Sequence, residues 1–124
     1  MANNGLTKAY VAEAAVNPFR IVKFGTNDGF VLQAAAVADK LIGITTEIDA
    51  AINERLDVVH EGIADLKLGG TVTRGDFLTA DATGQGVTAA PAAGANAQII
   101  GKAMASGVIG DIIPVLVAPS MLQG

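Results

Sequence analysis

The chain has no cysteine and no tryptophan, a single histidine and a single tyrosine, and eight lysines and arginines against twelve aspartates and glutamates. Without cysteine there are no disulfides and no thiolate metal sites, and the redox compartment leaves no mark. One histidine with no cluster of partners cannot supply a catalytic triad or a zinc centre. No catalytic residue, cofactor or metal ligand is therefore assigned. A formal net charge of -4, with no run of lysine or arginine, lacks the electrostatic footprint of a nucleic-acid binder, so no nucleic-acid partner is expected. Long hydrophobic runs are missing too. The longest, Val108 to Ala118, is broken by Gly110, Asp111 and Pro114 and falls short of the roughly 20 residues a spanning helix needs, so no membrane partner is expected either. The first residues carry one lysine, Lys8, and no apolar run of the secretory kind, which predicts synthesis in the cytoplasm without a leader.

What is present is small. Residues of the hydrophobic set make up 51% of the chain and charged residues 16%, and 15 of the 124 residues are glycine. Alanine dominates the hydrophobic set, so the layers it forms are thin. Such a length suits one domain burying roughly 65% of its unfolded surface. So little charge leaves a surface poorly suited to a free monomer, and part of it is expected to lie under another subunit.

The patterning is that of strands. From Arg55 to Glu61, Leu56, Val58 and His60 share one face and Arg55, Asp57, Val59 and Glu61 the other, the period of two of a half-buried strand. Gly62 interrupts, Ile63 to Leu68 alternate again, and Val72 and Phe77-Leu78 resume after Gly69-Gly70 and Arg74-Gly75-Asp76. This stretch predicts a β-meander with a bulge or bend at Gly62. Phe19 to Phe24 and Phe30 to Leu32, around the turn residues 25–29, predict a hairpin. Leu41 to Thr45, Gln85 to Thr88, Gln98 to Met104 and Asp111 to Ala118 read as further strands. Thr46-Glu47-Ile48-Asp49 resembles a capping box and predicts at most one short helix, or an ordered loop. Leu6 to Val16 fits a helical face or a strand face equally, and Asn17-Pro18 ends it in either case.

Two features point to assembly. Ile112, Ile113, Val115, Leu116 and Val117 make the last strand apolar on both faces, while Pro114 cannot donate to a ladder and belongs at an edge or bulge. An apolar edge strand needs a cover, from another subunit or from a loop of its own chain. Leu41-Ile42-Gly43 followed by the strand from Arg55 is also echoed by Ile99-Ile100-Gly101 followed by the strand from Asp111. Two similar β-units packed face to face would explain the echo.

The motifs that could carry chemistry are weaker. His60, on a strand beside Leu56 and Val58, reads as a packed or hydrogen-bonded residue. Asp57 and Glu61 read as solvated carboxylates. Gly94 to Lys102 is too long for a P-loop and has Ala103 where a hydroxyl should hold magnesium. Arg74-Gly75-Asp76 spells an adhesion tripeptide but lies where a turn is expected.

With these residues in place, the chain resembles the decoration, or cement, proteins of tailed bacteriophage capsids. The resemblance rests on Phe24-Gly25 to Gly29-Phe30, Leu41-Ile42-Gly43-Ile44, Glu61-Gly62, Gly75-Asp76-Phe77-Leu78 with Asp81 and Gly84, Ile100-Gly101-Lys102-Ala103 and Gly110-Asp111-Ile112-Ile113-Pro114-Val115, and covers about residues 17–118. It implies a mainly β, compact β-sandwich or β-barrel-like (β-tulip-like) single domain, with residues 1–17 an extended N-terminal arm and residues 18–124 the decoration domain. It further implies a non-enzymatic virion protein, made in the host cytoplasm, that binds the major capsid protein on the outer surface of the expanded head. There it would act as a homo-oligomer, trimer favoured over dimer, and stabilise the head. The arm residues expected on the capsid are Leu6, Tyr10, Val11 and Val16, and those expected between subunits are Ile112, Ile113, Val115 and Val117. A small non-catalytic β binding module, as a receptor-binding or accessory subunit, is the alternative.

Overall fold

Strand patterning decides almost every element. The computed structural model describes residues 4–123, and in them the chain forms β1 (Asn4–Ala12), β2 (Ile21–Phe24), β3 (Phe30–Gln33), β4 (Leu41–Thr45), β5 (Arg55–Lys67), β6 (Phe77–Ala80), β7 (Gly86–Thr88), β8 (Asn96–Ala103) and β9 (Ile112–Gln123). Residues 1–3 and 124 of the expected arm and domain lie outside the described residues. No helix forms among those described. Of the short helix and the ordered loop expected from Thr46, the loop is the one present. Val16 and Ala50 exchange backbone hydrogen bonds, and a turn from Ala51 to Glu54 with Asn53 at φ 69 follows.

The strands form one sheet in the order β1-β3-β2-β4-β5-β9-β8-β6-β7, and β1 also pairs with β5. That second pairing closes β1, β3, β2, β4 and β5 into a five-stranded barrel. Of the sandwich and barrel alternatives, the barrel is the one present. The stretch read as an arm is, from Asn4 to Ala12, extended and antiparallel to β5, and it meets β3 in parallel at Val11 and Ala12.

Two expectations need correction. Arg55 to Lys67 is one continuous strand with Gly62 at φ 99 inside it, and it does not lead into a meander, because β6 pairs with β7 and β8. Nor is β9 an edge: Ile112 to Val117 pair with β5, and Val115 to Val117 also pair with β8. Pro114 is tolerated because its carbonyl accepts the Met104 N–H, at 3.0 Å, just past the end of β8. A strand residue's N and O face the same neighbour, so its missing donor meets a loop rather than a ladder.

The echo between Leu41-Ile42-Gly43 and Ile99-Ile100-Gly101 is the trace of a structural duplication. Ile21↔Ile44 and Val22↔Gly43 recur as Phe77↔Lys102 and Leu78↔Gly101. Ile44↔Val59 and Thr45↔Val58 recur as Lys102↔Leu116 and Ala103↔Val115. Tyr10↔Leu56 and Lys8↔Val58 recur as Leu66↔Ile113 and Ala64↔Val115, and the bridge Val16↔Ala50 recurs as Val72↔Gly107. Counterparts lie 55 to 58 positions apart. β5, β7, β6, β8 and β9 thus repeat the order of β1, β3, β2, β4 and β5. The parallel β1–β3 contact returns as the bridge Leu68↔Gly86, which closes the second barrel. β5 is shared: its first half completes the first barrel and its second half opens the second.

The duplication explains the two glycines of the echo. A Cβ on Gly43 would run into the Val59 carbonyl and one on Gly101 into the Leu116 carbonyl, so both positions let the next strand approach closely.

The interior divides accordingly. Ala12, Val16, Val22, Val31, Leu56 and Val58 belong to the core of the first barrel. Leu66, Leu68, Leu78, Ile100, Ile113, Val115 and Val117 belong to that of the second. Ile21, Leu41, Ile44 and Val59, on the outer face of the first barrel, are buried in the second cluster. The outside of barrel one thus seals barrel two.

Candidate assembly surfaces

β9 alternates cleanly. Ile113, Val115 and Val117 point into the second barrel and are buried, while Ile112, Leu116 and Ala118 point out. Directly paired residues share a face, so Ile63, Leu116, Lys102 and Phe77 form a row across β5, β9, β8 and β6. Ile112, Leu116 and Phe77 remain 49%, 41% and 45% exposed. The Lys102 ammonium lies 5.4 Å from the Phe77 ring centroid, a cation–π distance. A hollow of about 240 Å³ opens here, with Phe77, Ile99, Gly101, Lys102, Leu116 and Ala118 in its wall.

The far end of the first barrel has a different character. Tyr10 and Phe24 follow the inward phase of Ala12 and Val22, and His60 that of Val58. The Tyr10 hydroxyl is 2.7 Å from His60 Nε2, their rings are 5.4 Å apart at 47°, and the Lys8 ammonium is 5.4 Å from the Tyr10 centroid. Burial pushes the Tyr10 phenol up. Burial first, and then Lys8, hold His60 below its ordinary value against an opposing pull from Glu61. A neutral imidazole accepting the phenol's proton donation fits this setting. Phe24, 58% exposed, lies at the same end.

The turn Thr73 to Asp76 is built by its own polar groups. Asp76 Oδ2 accepts the Thr73 N–H at 2.9 Å and the Thr88 hydroxyl at 3.0 Å, and Ser106 Oγ accepts the Arg74 N–H at 2.8 Å. Gly75, at φ 94, takes a conformation that side chains disfavour. Another hollow, about 340 Å³, is walled by Val37, Thr79, Val87, Pro91 and neighbouring small residues with no titratable group. Among the described residues no group of three or more His, Cys, Asp or Glu could hold a metal, and no helix is long and apolar enough to cross a membrane.

The residues singled out in the sequence separate here. Leu6 is exposed on β1 beside Glu61, Tyr10 is half-buried against His60, and Val11 is half-buried between Phe30 and Arg55. Val16, 2% exposed, lies in the first core. Of the four interface residues only Ile112 faces outward. For Ile113, Val115 and Val117 the cover is their own second barrel, because β9 has a neighbour on each edge and its faces divide into inside and outside. Leu116, Phe77 and Lys102, which share the outward face with Ile112, were not among the residues expected between subunits. The signal for Leu116 was the other phase of the same alternation, but the sequence alone does not say which phase is inside.

Residues 2–111 match a family model described as phage cement protein. No curated protein matches the chain. Among solved structures, the crystal structure of the head fiber gp8.5 N base in bacteriophage phi29 is similar, with a TM-score of 0.66 and 17% identity over 96% of this chain and 98% of that one. At that identity the likeness is one of fold.

Proposed function

The chain belongs to the phage cement protein family, and from that membership we propose that it binds the major capsid protein on the outer surface of the expanded head, as a homo-oligomer, and stabilises the shell. A trimer is favoured over a dimer. The observation that carries this reading beyond the family is the row Ile63, Leu116, Lys102 and Phe77 with Ile112 beside it, an apolar outer face on a chain with no cluster of catalytic or metal-ligating groups among its described residues. Apolar surface left in water suits contact with protein. Many such contacts repeated by symmetry raise avidity by about 10² to 10⁴ over one contact, which lets a small domain hold a lattice together.

Leu6, exposed near the start of β1, is the arm residue best placed to touch the lattice, with residues 1–3 ahead of it. Tyr10, Val11 and Val16 support that contact from behind by fixing β1 in its barrel. An acidic chain is also repelled by packaged DNA, which favours the outside of the head. Mixing the purified protein with empty expanded heads and pelleting them tests the proposal. Saturable co-pelleting, with a fixed number of copies per capsomer and raised thermal stability of the heads, is expected. A protein that stays in the supernatant with every head offered overturns it.

A further inference from the structure

The duplication supplies an internal example of a contact, and the molecule carries both halves of that contact a second time, unused. Within the chain, the outer face of the first barrel, Ile21, Leu41, Ile44 and Val59, seals the end of the second barrel formed by Leu66, Ala80 and Val117. The counterparts of Ile21, Ile44 and Val59 on the second barrel are Phe77, Lys102 and Leu116, the exposed row. The counterparts of Leu66, Ala80 and Val117 on the first barrel are Tyr10, Phe24 and His60, an end where Phe24 is exposed and Tyr10 and His60 are half-buried. One sealing face and one barrel end are paired inside the chain, and one of each is left over.

We propose that a second copy of this chain pairs these remaining halves head to tail, the Phe77–Leu116 face of one protomer seating on the Tyr10–Phe24–His60 end of the next. This deepens the oligomer part of the function proposed above and does not depend on the capsid part. The composition of β9 favours a protein cover. Its outward residues Ile112, Pro114 and Ala118 stand where β5 has Arg55, Asp57 and Glu61, so a strand in the equivalent place has given up every charge that would suit it to water. The receiving end offers two aromatic rings and an imidazole, with Lys102 arriving where cation–π contact with Phe24 is available, Tyr10 being already engaged by Lys8. A head-to-tail contact is heterologous and closes into a ring when its rotation divides a full turn, so a threefold ring is one natural product.

Light scattering on the wild type, on Leu116→Asp, on Phe24→Asp and on a mixture of the two variants tests this without any capsid. The wild type is expected to form closed oligomers. Each variant alone, lacking one half of the contact, is expected to be a monomer. The mixture is expected to recover a one-to-one dimer and nothing larger, since only one sound face and one sound end remain. Both positions are exposed in the single chain, and circular dichroism checks that both variants fold. Should Leu116→Asp fail to fold, Ile112→Asp on the same outward face takes its place. A monomeric wild type overturns the proposal. So does a Phe24→Asp protein that assembles normally, which would mean that β9 faces meet face to face. Loss of co-pelleting with oligomers intact would remove the capsid reading and leave this one standing.

Discussion

Asp39, Glu54, Asp76 and Asp111 each accept the backbone N–H of the residue three positions earlier, at 3.0, 2.7, 2.9 and 2.9 Å. A third of the acidic residues in this chain thereby close turns, and the net negative charge is in part a by-product of turn construction. The adhesion-like tripeptide is one of these turns. Asp76→Ala removes the acceptor of two hydrogen bonds and is expected to lower stability by about 1 kcal/mol. Arg74→Ala, which leaves the turn's backbone bonds in place, should stay within about 0.5 kcal/mol of wild type. Urea unfolding of both variants measures this, and a costly Arg74→Ala would give that side chain a structural role not seen here. His60 sets the pH dependence near neutrality. Its folded pKa lies below the ordinary 6.5, so the unfolded chain takes up a proton more readily. Stability is then full above the unfolded value and is lost as pH falls through the folded one. The urea midpoint should decline as pH falls from about 7.5 through the ordinary histidine value and below it, and His60→Gln should flatten that decline. An equally steep fall in the variant would assign it to other groups.

At the scale of the element, β9 shows what a strand's sequence reveals and what it hides. That Ile112 to Val117 form a strand was legible from their β-branched run, and so was the need for a cover. Which phase is covered was not, because Ile112 and Leu116 are as apolar as Ile113 and Val115, and only the sheet neighbours separate inside from outside. Of the helix and the ordered loop that Thr46 to Asp49 allowed, the loop forms for a related reason. The capping pattern is local, whereas the bridge between Val16 and Ala50 is made by a segment about 34 residues away and dictates the backbone there. The echo around Gly43 and Gly101 was legible because close strand approach admits only glycine, and it pointed to two similar units, which are joined through β5 in one sheet rather than packed as separate faces. That the units share a strand could not be read, since nothing local distinguishes the two halves of β5. Ile113→Asp therefore tests the fold rather than the assembly. An unpaired carboxylate in the second core costs several kcal/mol, and the variant is expected to lose its cooperative thermal transition. Ile112→Asp, one residue earlier and facing out, should keep it. A folded Ile113→Asp protein would mean that the second barrel opens at modest cost.

For the whole molecule, the shared strand and the seal between barrels bear on cooperativity. Two barrels joined by a linker would unfold separately. Here β5 contributes Leu56 and Val58 to one core and Leu66 to the other, and Val59, on the outside of the first barrel, is buried in the core of the second. Opening either barrel exposes apolar side chains of the other, at about 1.5 to 3 kcal/mol for each valine, leucine or isoleucine brought into water. An intermediate with one barrel intact would carry that exposure on top of the loss of the other barrel's own core. Charge adds little to this coupling, since the ion pair recorded among the described residues, Lys23 with Asp39 at 3.4 Å, is partly exposed and such pairs contribute about 1 kcal/mol or less. Calorimetry at low concentration is expected to show a single transition whose van't Hoff and calorimetric enthalpies agree, with a midpoint nearly independent of moderate salt. Two resolved transitions would mean that the barrels are separable units. In that case the seal around Ile21 and Val59 would be a docking contact rather than part of one core, and the leftover copy of it on Phe77 and Leu116 would be correspondingly weak.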